Sequence, residues 1–426
     1  MSAFTTAMQR PDTNQFLALH PDDSRAAAAF FDAAVTAQLA VALWRPPGEQ
    51  ATQGVVDLGA SAQPAAIDFH AGEPAFIFSP FYSAAGQPPL RIRADVQLTP
   101  QGLRTHQTPW NGQRQRYERF YGQFLARLAG QPPAALRGWP TPQPPQPLHC
   151  SGYAEYCTLV DSAIDFIVAS GIKKVVVSRA ASTHLAVGFD PATTFQALCR
   201  RYPAAFVSLV AIPGVGTWIG ASPELLLATD GRALHTMALA STQALPPDRP
   251  LHAVRWAAKE IEEQALVGDY IRDFFGRAGA QQVQEVGPRT VAAGNVVHLQ
   301  SDFTVEAPRD QLMTLANRVL HELHPTSAVC GMPKDKALAF ILQHEGYDRS
   351  FYSGYLGPVH IDGQSQLYVN LRCMQLGETH AYLYVGGGVT ADSSPDAEWR
   401  ETELKADTLL AVLQAAIDAP ALPSLA

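Results

Sequence analysis

Apolar residues recur at two spacings along the chain, and the two spacings predict different elements. A spacing of three or four residues predicts amphipathic helices, which we place at residues 24–40, 117–128, 156–170, 191–201, 252–275, 311–320 and 334–344. Short β-prone runs predict strands, which we place at residues 75–81, 173–179, 205–209, 217–220, 235–242, 298–303, 352–360 and 366–372. Because helices and strands mix without strict βαβ alternation, the pattern favours an α+β fold.

The C-terminal part combines a glycine run with a capped helix. Residues 382–390 are typical of a strand that ends in a glycine turn. Ser394 can then cap a helix. Glu398, Glu401 and Lys405 follow at spacings of three and four, so two carboxylates and an ammonium group share one face of this helix.

Two other predicted elements carry charged residues that could face a site. A second Glu-x-x-Glu pair, Glu260 and Glu263, lies in the predicted helix at residues 252–275. In the strand at residues 173–179, alternation directs Lys174 to one side and Lys173 to the other. One such pair alone is typical of a solvated helix face. Two pairs on different helices supply enough oxygen ligands for a hard divalent cation.

Length and composition indicate a globular protein with a sizeable core. The chain has 426 residues, of which 47% are hydrophobic and 16% are charged. This length suits two or three average domains or one large mixed sheet domain. Proline-rich stretches at residues 130–133 and 139–147 predict a stiff, extended connector, which is the best candidate boundary in the chain.

Charge and cysteine usage exclude several classes of function. The net charge of -8, without a basic cluster interleaved with aromatic residues, argues against a nucleic-acid partner. No basic stretch followed by an apolar run stands at residues 1–10, and no run of about 18 apolar residues occurs. We therefore expect a cytoplasmic protein without a membrane partner. Its five scattered cysteines are expected to be reduced thiols: Cys150, Cys157, Cys199, Cys330 and Cys373.

Several motifs, in this order, resemble those of the chorismate-utilising enzymes, which include isochorismate, salicylate, anthranilate and aminodeoxychorismate synthases. They stand at residues 174–179, 220–224, 260–263, 323–326, 328–331, 347–349 with Tyr352 and Gly354, and 386–405. The resemblance covers roughly residues 150 to 415. Within the family, the sequence at residues 259–264, 369–374 and 386–390 is most similar to that of bacterial isochorismate synthases of the menaquinone pathway.

The resemblance implies a single large α+β domain in which two stacked antiparallel sheets carry helices on their outer faces. Residues 1–149 would contribute strands to this same domain, and the proline-rich connector would be a loop within it. Residues 150–426 would form the chorismate-binding catalytic region.

The resemblance also implies a metal site and an acid–base pair. Glu263 and Glu401 would ligate Mg²⁺ directly, whereas Glu260 and Glu398 would hold its water molecules. Formation of isochorismate adds water at C2 of the ring and expels the C4 hydroxyl, so it needs a base and an acid. Lys174 matches the family's base and must be neutral to accept a proton. Its counterpart Glu224 matches the acid, and its pKa must rise from about 4.3 for it to be protonated at neutral pH.

Other residues match the family's substrate contacts. Arg372 would hold a substrate carboxylate with its forked guanidinium group. The remaining matched contacts are Thr242, Lys405, the backbone amides near Gly387 and Gly388, and His324, which is equally compatible with a structural role.

Two positions depart from the family pattern. Ser241, which would also lie in the substrate-binding site, stands where the family has glycine, and a positive φ there would strain serine by about 1 to 2 kcal/mol. Gln264 replaces a histidine.

Individual residues weigh differently against the alternatives within the family. Lys174 argues against anthranilate synthase, which usually has glutamine there and uses ammonia, so no glutaminase subunit is expected. Ala240 stands where aminodeoxychorismate synthases have a nucleophilic lysine. Salicylate synthases keep the same lysine and glutamate and then eliminate pyruvate, so they remain an alternative. A non-catalytic relative that binds chorismate is a further alternative, for which Ser241 is the only hint.

Overall fold

Eight α-helices lie in the part of the chain that the computed structural model describes, which is residues 24–59, 62–82, 88–105, 113–131, 138–141, 149–245, 250–293 and 296–418. They are α1 (Ser24–Thr36), α2 (Arg114–Leu128), α3 (Tyr153–Ser170), α4 (Pro191–Arg201), α5 (Ala258–Ala278), α6 (Arg309–Arg318), α7 (Lys334–His344) and α8 (Pro395–Asp418). A 3₁₀ turn precedes α5 at Leu251–Ala253, and a π-helical turn continues α6 at Val319–Leu323.

The described residues also form nineteen strands. They are β1 (Ala40–Arg45), β2 (Gln53–Asp57), β3 (Gln63–Pro64), β4 (Ala75–Ser79), β5 (Leu90–Arg93), β6 (Val96–Thr99), β7 (Gly102–Thr105), β8 (Lys174–His184), β9 (Phe206–Ile212), β10 (Gly216–Ser222), β11 (Leu225–Thr229), β12 (Ala233–Ala244), β13 (Gln284–Ala293), β14 (Val296–Glu306), β15 (Gly331–Met332), β16 (Tyr355–Val359), β17 (Ser365–Val369), β18 (Cys373–Leu376) and β19 (His380–Val389).

These strands form two large sheets, and their pairings are antiparallel. The ten-stranded sheet has the order β15-β8-β19-β18-β10-β9-β1-β2-β6-β7, and the nine-stranded sheet has the order β13-β14-β12-β11-β17-β16-β4-β5-β3. Strands from the N-terminal third therefore pair in both sheets. The predicted α+β architecture of two antiparallel sheets with outer helices is confirmed.

Three apolar layers hold the sheets and helices together. Helices α1, α4 and α8 pack on the ten-stranded sheet with α2 against α1, and α5 and α6 pack on the nine-stranded sheet. Helices α3 and α7 pack against β8, near the edge of the ten-stranded sheet. An aromatic layer separates the sheets, in which Trp44 lies 5.3 Å from Phe76 and Trp218 stacks on Tyr384 at 5.1 Å. Large rings of this kind bury much apolar area with few side chains.

The proline-rich connector is described only in part. Trp139 donates its indole N–H to the Gly377 carbonyl at 3.0 Å, and the Thr217 hydroxyl donates to the Pro140 carbonyl at 2.8 Å. These contacts attach residues 138–141 to the ten-stranded sheet. Residues 132–133 and 142–147 of the predicted connector lie outside the described residues. Residues 1–23 also lie outside them, so the expectation for residues 1–10 stays a prediction.

Two predicted helices differ from the structure by four or more residues at one end. The helix placed at residues 24–40 ends at Thr36, because Gln38 adopts φ +58° and the chain turns into β1. The helix placed at residues 252–275 begins only at Ala258, where the Glu260 carboxylate accepts the Ala257 backbone N–H at 2.8 Å and fixes the first turn.

Strand β13 was not predicted, because most of its side chains are exposed and it lacks an apolar alternation. No described helix is long and apolar enough to cross a membrane. The five cysteines, all among the described residues, are thiols and form no disulfide bonds with one another, as expected.

Candidate active site

The glycine run belongs to a strand, and the predicted glycine turn is wrong. Gly386, Gly387 and Gly388 continue β19 and pair with residues of β8. A Cβ atom at Gly388 would lie 2.5 Å from Cε of Lys174, and one at Gly387 would lie 2.7 Å from Oε2 of Glu398. The glycines are therefore required by the space that neighbouring charged side chains occupy, and not by a turn.

A cavity lies against this glycine run and brings together most of the predicted site residues. Ten of the thirteen line it: Lys174, Glu224, Ser241, Thr242, Glu263, Arg372, Gly387, Gly388, Glu401 and Lys405. The cavity encloses about 80 Å³, and an adjoining cavity of about 470 Å³ shares Pro223, Leu239, His298 and Arg372 with it. Together they reach the roughly 300 to 1,000 Å³ of small-molecule sites.

Lys174 and Glu263 form a buried ion pair inside the cavity. The Lys174 Nζ atom lies 2.7 Å from Oε1 of Glu263. Lys174, the first residue of β8, is buried, whereas Lys173 directly before the strand is exposed, so the two lysines face opposite ways as predicted. Burial alone would raise the pKa of Glu263, but Lys174, Lys405 and the Ser241 hydroxyl together hold it below its ordinary value. Glu263 is therefore ionised at neutral pH.

Glu224 has the opposite electrostatic environment. Its carboxyl group is buried, which raises its pKa to about 7, although the Thr326 hydroxyl and the charges of Lys174 and Arg372 oppose this shift. Thr326 donates to Oε1 of Glu224 at 3.3 Å. Among the carboxyl groups of the cavity, Glu263 is thus ionised, whereas Glu224 is about half protonated at neutral pH.

A β-bulge shapes the wall opposite these carboxyl groups. The register of β12 and β14 shifts between Ala240 and Gln243, so Ser241 and Thr242 leave the regular ladder and line the cavity. Ser241 adopts φ +61°, a left-handed conformation that strains any residue with a Cβ. The departure from the family glycine therefore falls on a position that needs positive φ.

His298 lies across the bulge and was not among the predicted site residues. Its Nδ1 atom is 2.8 Å from the Ser241 carbonyl oxygen, and its Nε2 atom is 3.4 Å from Nη2 of Arg372. Burial, followed by the Arg372 charge, lowers the pKa of His298 to about 3, so the ring is neutral. Nδ1 therefore carries the proton, and Nε2 accepts from Arg372.

Arg372 has a donor left over for a ligand. It adopts φ +48°, and its Nη1 atom is buried without a hydrogen-bond partner among the described residues. An unsatisfied guanidinium donor is costly unless a ligand pairs with it, and a carboxylate fits its forked geometry. Arg372 is therefore a candidate carboxylate-binding residue.

The four predicted metal-binding glutamates occupy different environments. Glu263 and Glu401 line the cavity, and Oε1 of Glu401 lies 2.6 Å from Nζ of Lys405. Glu260 instead caps its own helix. Glu398 accepts from the Ser393 hydroxyl at 2.7 Å, and burial and then Glu401 raise its pKa.

The oxygen atoms of the cavity fit a hard cation without forming a closed ligand set. Oε2 of Glu398 is buried and unpartnered among the described residues, and both cavity glutamates offer carboxylate oxygens. No group of three or more aspartate, glutamate, histidine or cysteine side chains in the described ranges is arranged to hold a metal ion. The ammonium groups of Lys174 and Lys405 pair with Glu263 and Glu401.

The structure places His324 outside the cavity lining. Its ring is buried and lies edge-on to Tyr355 at 4.8 Å, and burial lowers its pKa to about 4. Its backbone carbonyl accepts from the Lys334 ammonium at 3.2 Å. These contacts attach the loop that carries Thr326 to the core, so His324 lies behind the site and not in it.

The chain is similar to known proteins in both sequence and fold. A family model described as chorismate binding enzyme matches residues 136–414. The isochorismate synthase EntC of Escherichia coli is 29% identical to this chain over 247 residues, which are 57% of the chain. The isochorismate synthase MenF of the same organism is 31% identical over 265 residues, which are 60% of the chain. These alignments span 62% and 59% of the two relatives, less than two thirds of their lengths. The solved structure of the menaquinone-specific isochorismate synthase MenF from E. coli superimposes with a TM-score of 0.67 at 23% identity, over 91% of each chain.

Proposed function

The chain belongs to the chorismate binding enzyme family, and from this premise we propose that it is an isochorismate synthase, an isomerase that converts chorismate to isochorismate with Mg²⁺. One observation carries the proposal: a buried lysine and a carboxyl group with a pKa of about 7 line the same cavity. The motifs that resemble menaquinone-pathway enzymes favour that branch of metabolism.

Glu224 would be the general acid. The reaction expels hydroxide from C4, and a carboxyl group that keeps its proton near neutral pH can donate it to this leaving group. Burial provides that property here. The Thr326 hydroxyl orients one carboxyl oxygen.

Lys174 would be the general base that takes a proton from the water attacking C2. In the structure its ammonium group is held by Glu263. To accept a proton, the amine must first lose its own proton and leave this carboxylate. The glycines of β19 leave room for that movement, because no Cβ stands against the end of the lysine side chain.

The remaining residues would bind and orient a dicarboxylate. Arg372 offers its unpartnered Nη1 to one substrate carboxylate. Glu263 and Glu401 would hold Mg²⁺ directly, and Glu260 and Glu398 would hold its waters. When bound, the ion would neutralise the ring carboxylate. Thr242, Lys405 and the backbone near Gly387 and Gly388 line the same space and would complete the contacts.

The test is to incubate the purified protein with chorismate and Mg²⁺ and to separate the products by chromatography. Isochorismate that approaches equilibrium with chorismate, and that is lost with EDTA and in Lys174→Ala, is the expected result. Lys173→Ala is the matched control, because Lys173 is the exposed residue directly before Lys174 and its loss should leave turnover unchanged. Salicylate with pyruvate would replace the proposal by the salicylate synthase alternative. Binding without any product would indicate the non-catalytic alternative.

A further inference from the structure

Ser241 combines backbone strain with a buried position in the cavity wall. It is 6% exposed and adopts φ +61° within the bulge of β12. Glycine takes this conformation without strain, so serine here costs stability. Strained residues of this kind persist only where their surroundings hold them in place. The contacts of the side chain therefore decide what the serine does.

The Ser241 hydroxyl is held by the helix that carries Glu263. Its Oγ atom lies 3.0 Å from Oε2 of Glu263 and 2.8 Å from the Glu260 carbonyl oxygen. The hydroxyl has one proton to share between these two acceptors, and the charged carboxylate is the stronger one. Glycine would provide neither hydrogen bond.

The two oxygens of Glu263 thus have different partners. Lys174 binds Oε1 at 2.7 Å, and Ser241 binds Oε2 at 3.0 Å. Two donors from two different strands, β8 and β12, fix the plane of the carboxylate. When only one donor is present, the carboxylate can rotate about its terminal torsion, which is broad.

We propose that Ser241 is a positioning residue that holds the Glu263 carboxylate in a single orientation for Mg²⁺. The inference rests on the proposed function, because it takes Glu263 as a direct metal ligand. Hydrogen-bond partners of metal ligands typically change metal affinity by about 10- to 100-fold when they are removed. Ser241 therefore increases Mg²⁺ affinity at the expense of backbone strain.

The test is a calorimetric titration of the substrate-free protein with MgCl₂, on wild type, Ser241→Ala and Ser241→Gly. Both variants lose the hydroxyl, so both should bind Mg²⁺ about 10-fold or more weakly. Only Ser241→Gly relieves the positive φ, so it should melt at a higher temperature than Ser241→Ala. Equal Mg²⁺ affinity in wild type and both variants would overturn the proposal, and so would the absence of Mg²⁺ binding by wild type.

Ser350 is the matched control. It also adopts positive φ, +50°, but it does not line the cavity. Ser350→Gly relieves a positive φ in the same way as Ser241→Gly, but it should leave Mg²⁺ affinity unchanged. A comparable loss of Mg²⁺ affinity in Ser350→Gly would show that strain relief alone weakens the metal site, and would overturn the role of the hydroxyl.

Turnover separates this inference from the proposed function. In Ser241→Ala, the lost rate should return when Mg²⁺ is raised to saturation, because the chemical groups are intact. A deficit in kcat that persists at saturating Mg²⁺ would overturn a positioning role through the metal. If wild type binds Mg²⁺ in a Ser241-dependent way but makes no isochorismate, the proposed function fails and the role of Ser241 at Glu263 stands.

Discussion

Helices α5 and α8 carry the same Glu-x-x-Glu spacing, yet the second glutamate of each pair, which lines the cavity, has a different kind of partner. On α5, Glu263 is paired with Lys174, which comes from a strand of the ten-stranded sheet 89 residues away in sequence. On α8, Glu401 is paired with Lys405, one turn along the same helix. The first pair joins two elements across the cavity, whereas the second is local. The same spacing therefore supports a tertiary contact in one helix and an intrahelical contact in the other.

The first glutamates of the two pairs, Glu260 and Glu398, also differ in their surroundings. Glu260 is half-buried and caps its own helix, whereas Glu398 is buried and accepts from Ser393 and from Lys259 of the other helix at 3.4 Å. Spacing thus determines which face a side chain takes, and the packing of the helix determines its partners. The difference predicts unequal effects of equivalent substitutions.

The largest difference is expected between the two lysines. Lys174→Met should lower kcat for isochorismate formation by about 10²- to 10⁴-fold, because it removes the proposed base. Lys405→Met removes a charged hydrogen bond to the Gly386 carbonyl and should cost about 10-fold. Initial rates at saturating chorismate and Mg²⁺ measure both. Equal losses would show that the local and the long-range pair are functionally equivalent.

The next difference is expected within the four glutamates. Glu263→Gln should raise the Mg²⁺ concentration for half-maximal rate by at least about 100-fold, and Glu398→Gln by about 10-fold. The reason is that Glu263 lines the cavity, whereas Glu398 does not line it and its Oε2 atom lies behind Gly387. Rates are measured across a Mg²⁺ series at fixed ionic strength. A larger effect of Glu398→Gln would reverse the assignment of direct and water-mediated ligands.

The pH dependence of the rate sharpens the contrast between Glu263 and Glu224. The acid must be protonated and the base Lys174 must be neutral, so kcat should be highest between the pKa values of the two groups and fall on either side. The pKa of Glu224 is about 7, and its protonated fraction falls about tenfold per pH unit above that value, so the profile should bend near pH 7. Glu224→Gln should lower the rate and remove this bend from the profile. A bend of unchanged position in the variant would assign it to another group.

The smallest effect is expected from the cap of α5. Glu260→Ala should lower the free energy of unfolding by about 1 kcal/mol, because the Ala257 backbone N–H loses its acceptor. Urea unfolding without Mg²⁺ measures this separately from any metal effect. Glu262→Ala, on the exposed face of the same turn, is the control and should change stability by less than about 0.5 kcal/mol.

Local chemistry in the sequence predicted parts of the fold well. Helix α8 begins at Pro395 directly after the predicted cap Ser394, and α4 and α7 have their predicted bounds, because start signals and apolar periodicity are encoded within one or two turns. The strand alternation likewise placed Lys174 inward. Where partners are distant in sequence, such signals are lacking. Ile261 has helical spacing in α5 but is 53% exposed, since no neighbouring element covers it.

Site residues that belong to family motifs could be predicted from the sequence, whereas those brought together by strand pairing could not. Family motifs identified Lys174, Glu224 and Arg372, which share the cavity. His298 has no spacing signature, because its role depends on which residues β14 places opposite the bulge of β12. The sequence predicts a turn at the glycine run, because it does not reveal the side chains of β8 and α8 that lie where a Cβ would be. These relations arise only when the sheet forms.

The inward position of Lys174 depends on the register of β8, which decides the face of the sheet that each residue occupies. This strand is paired on both sides, with β15 and β19, and it begins at Lys174, directly after the exposed Lys173. A deletion or insertion of one residue that moved β8 by a single step would exchange the two lysines and the two faces of the strand. Loops around the protein can change length by any number during evolution or design. This strand keeps its lysine in the cavity only if its register shifts by an even number of residues, so insertions and deletions of one residue in it should be poorly tolerated.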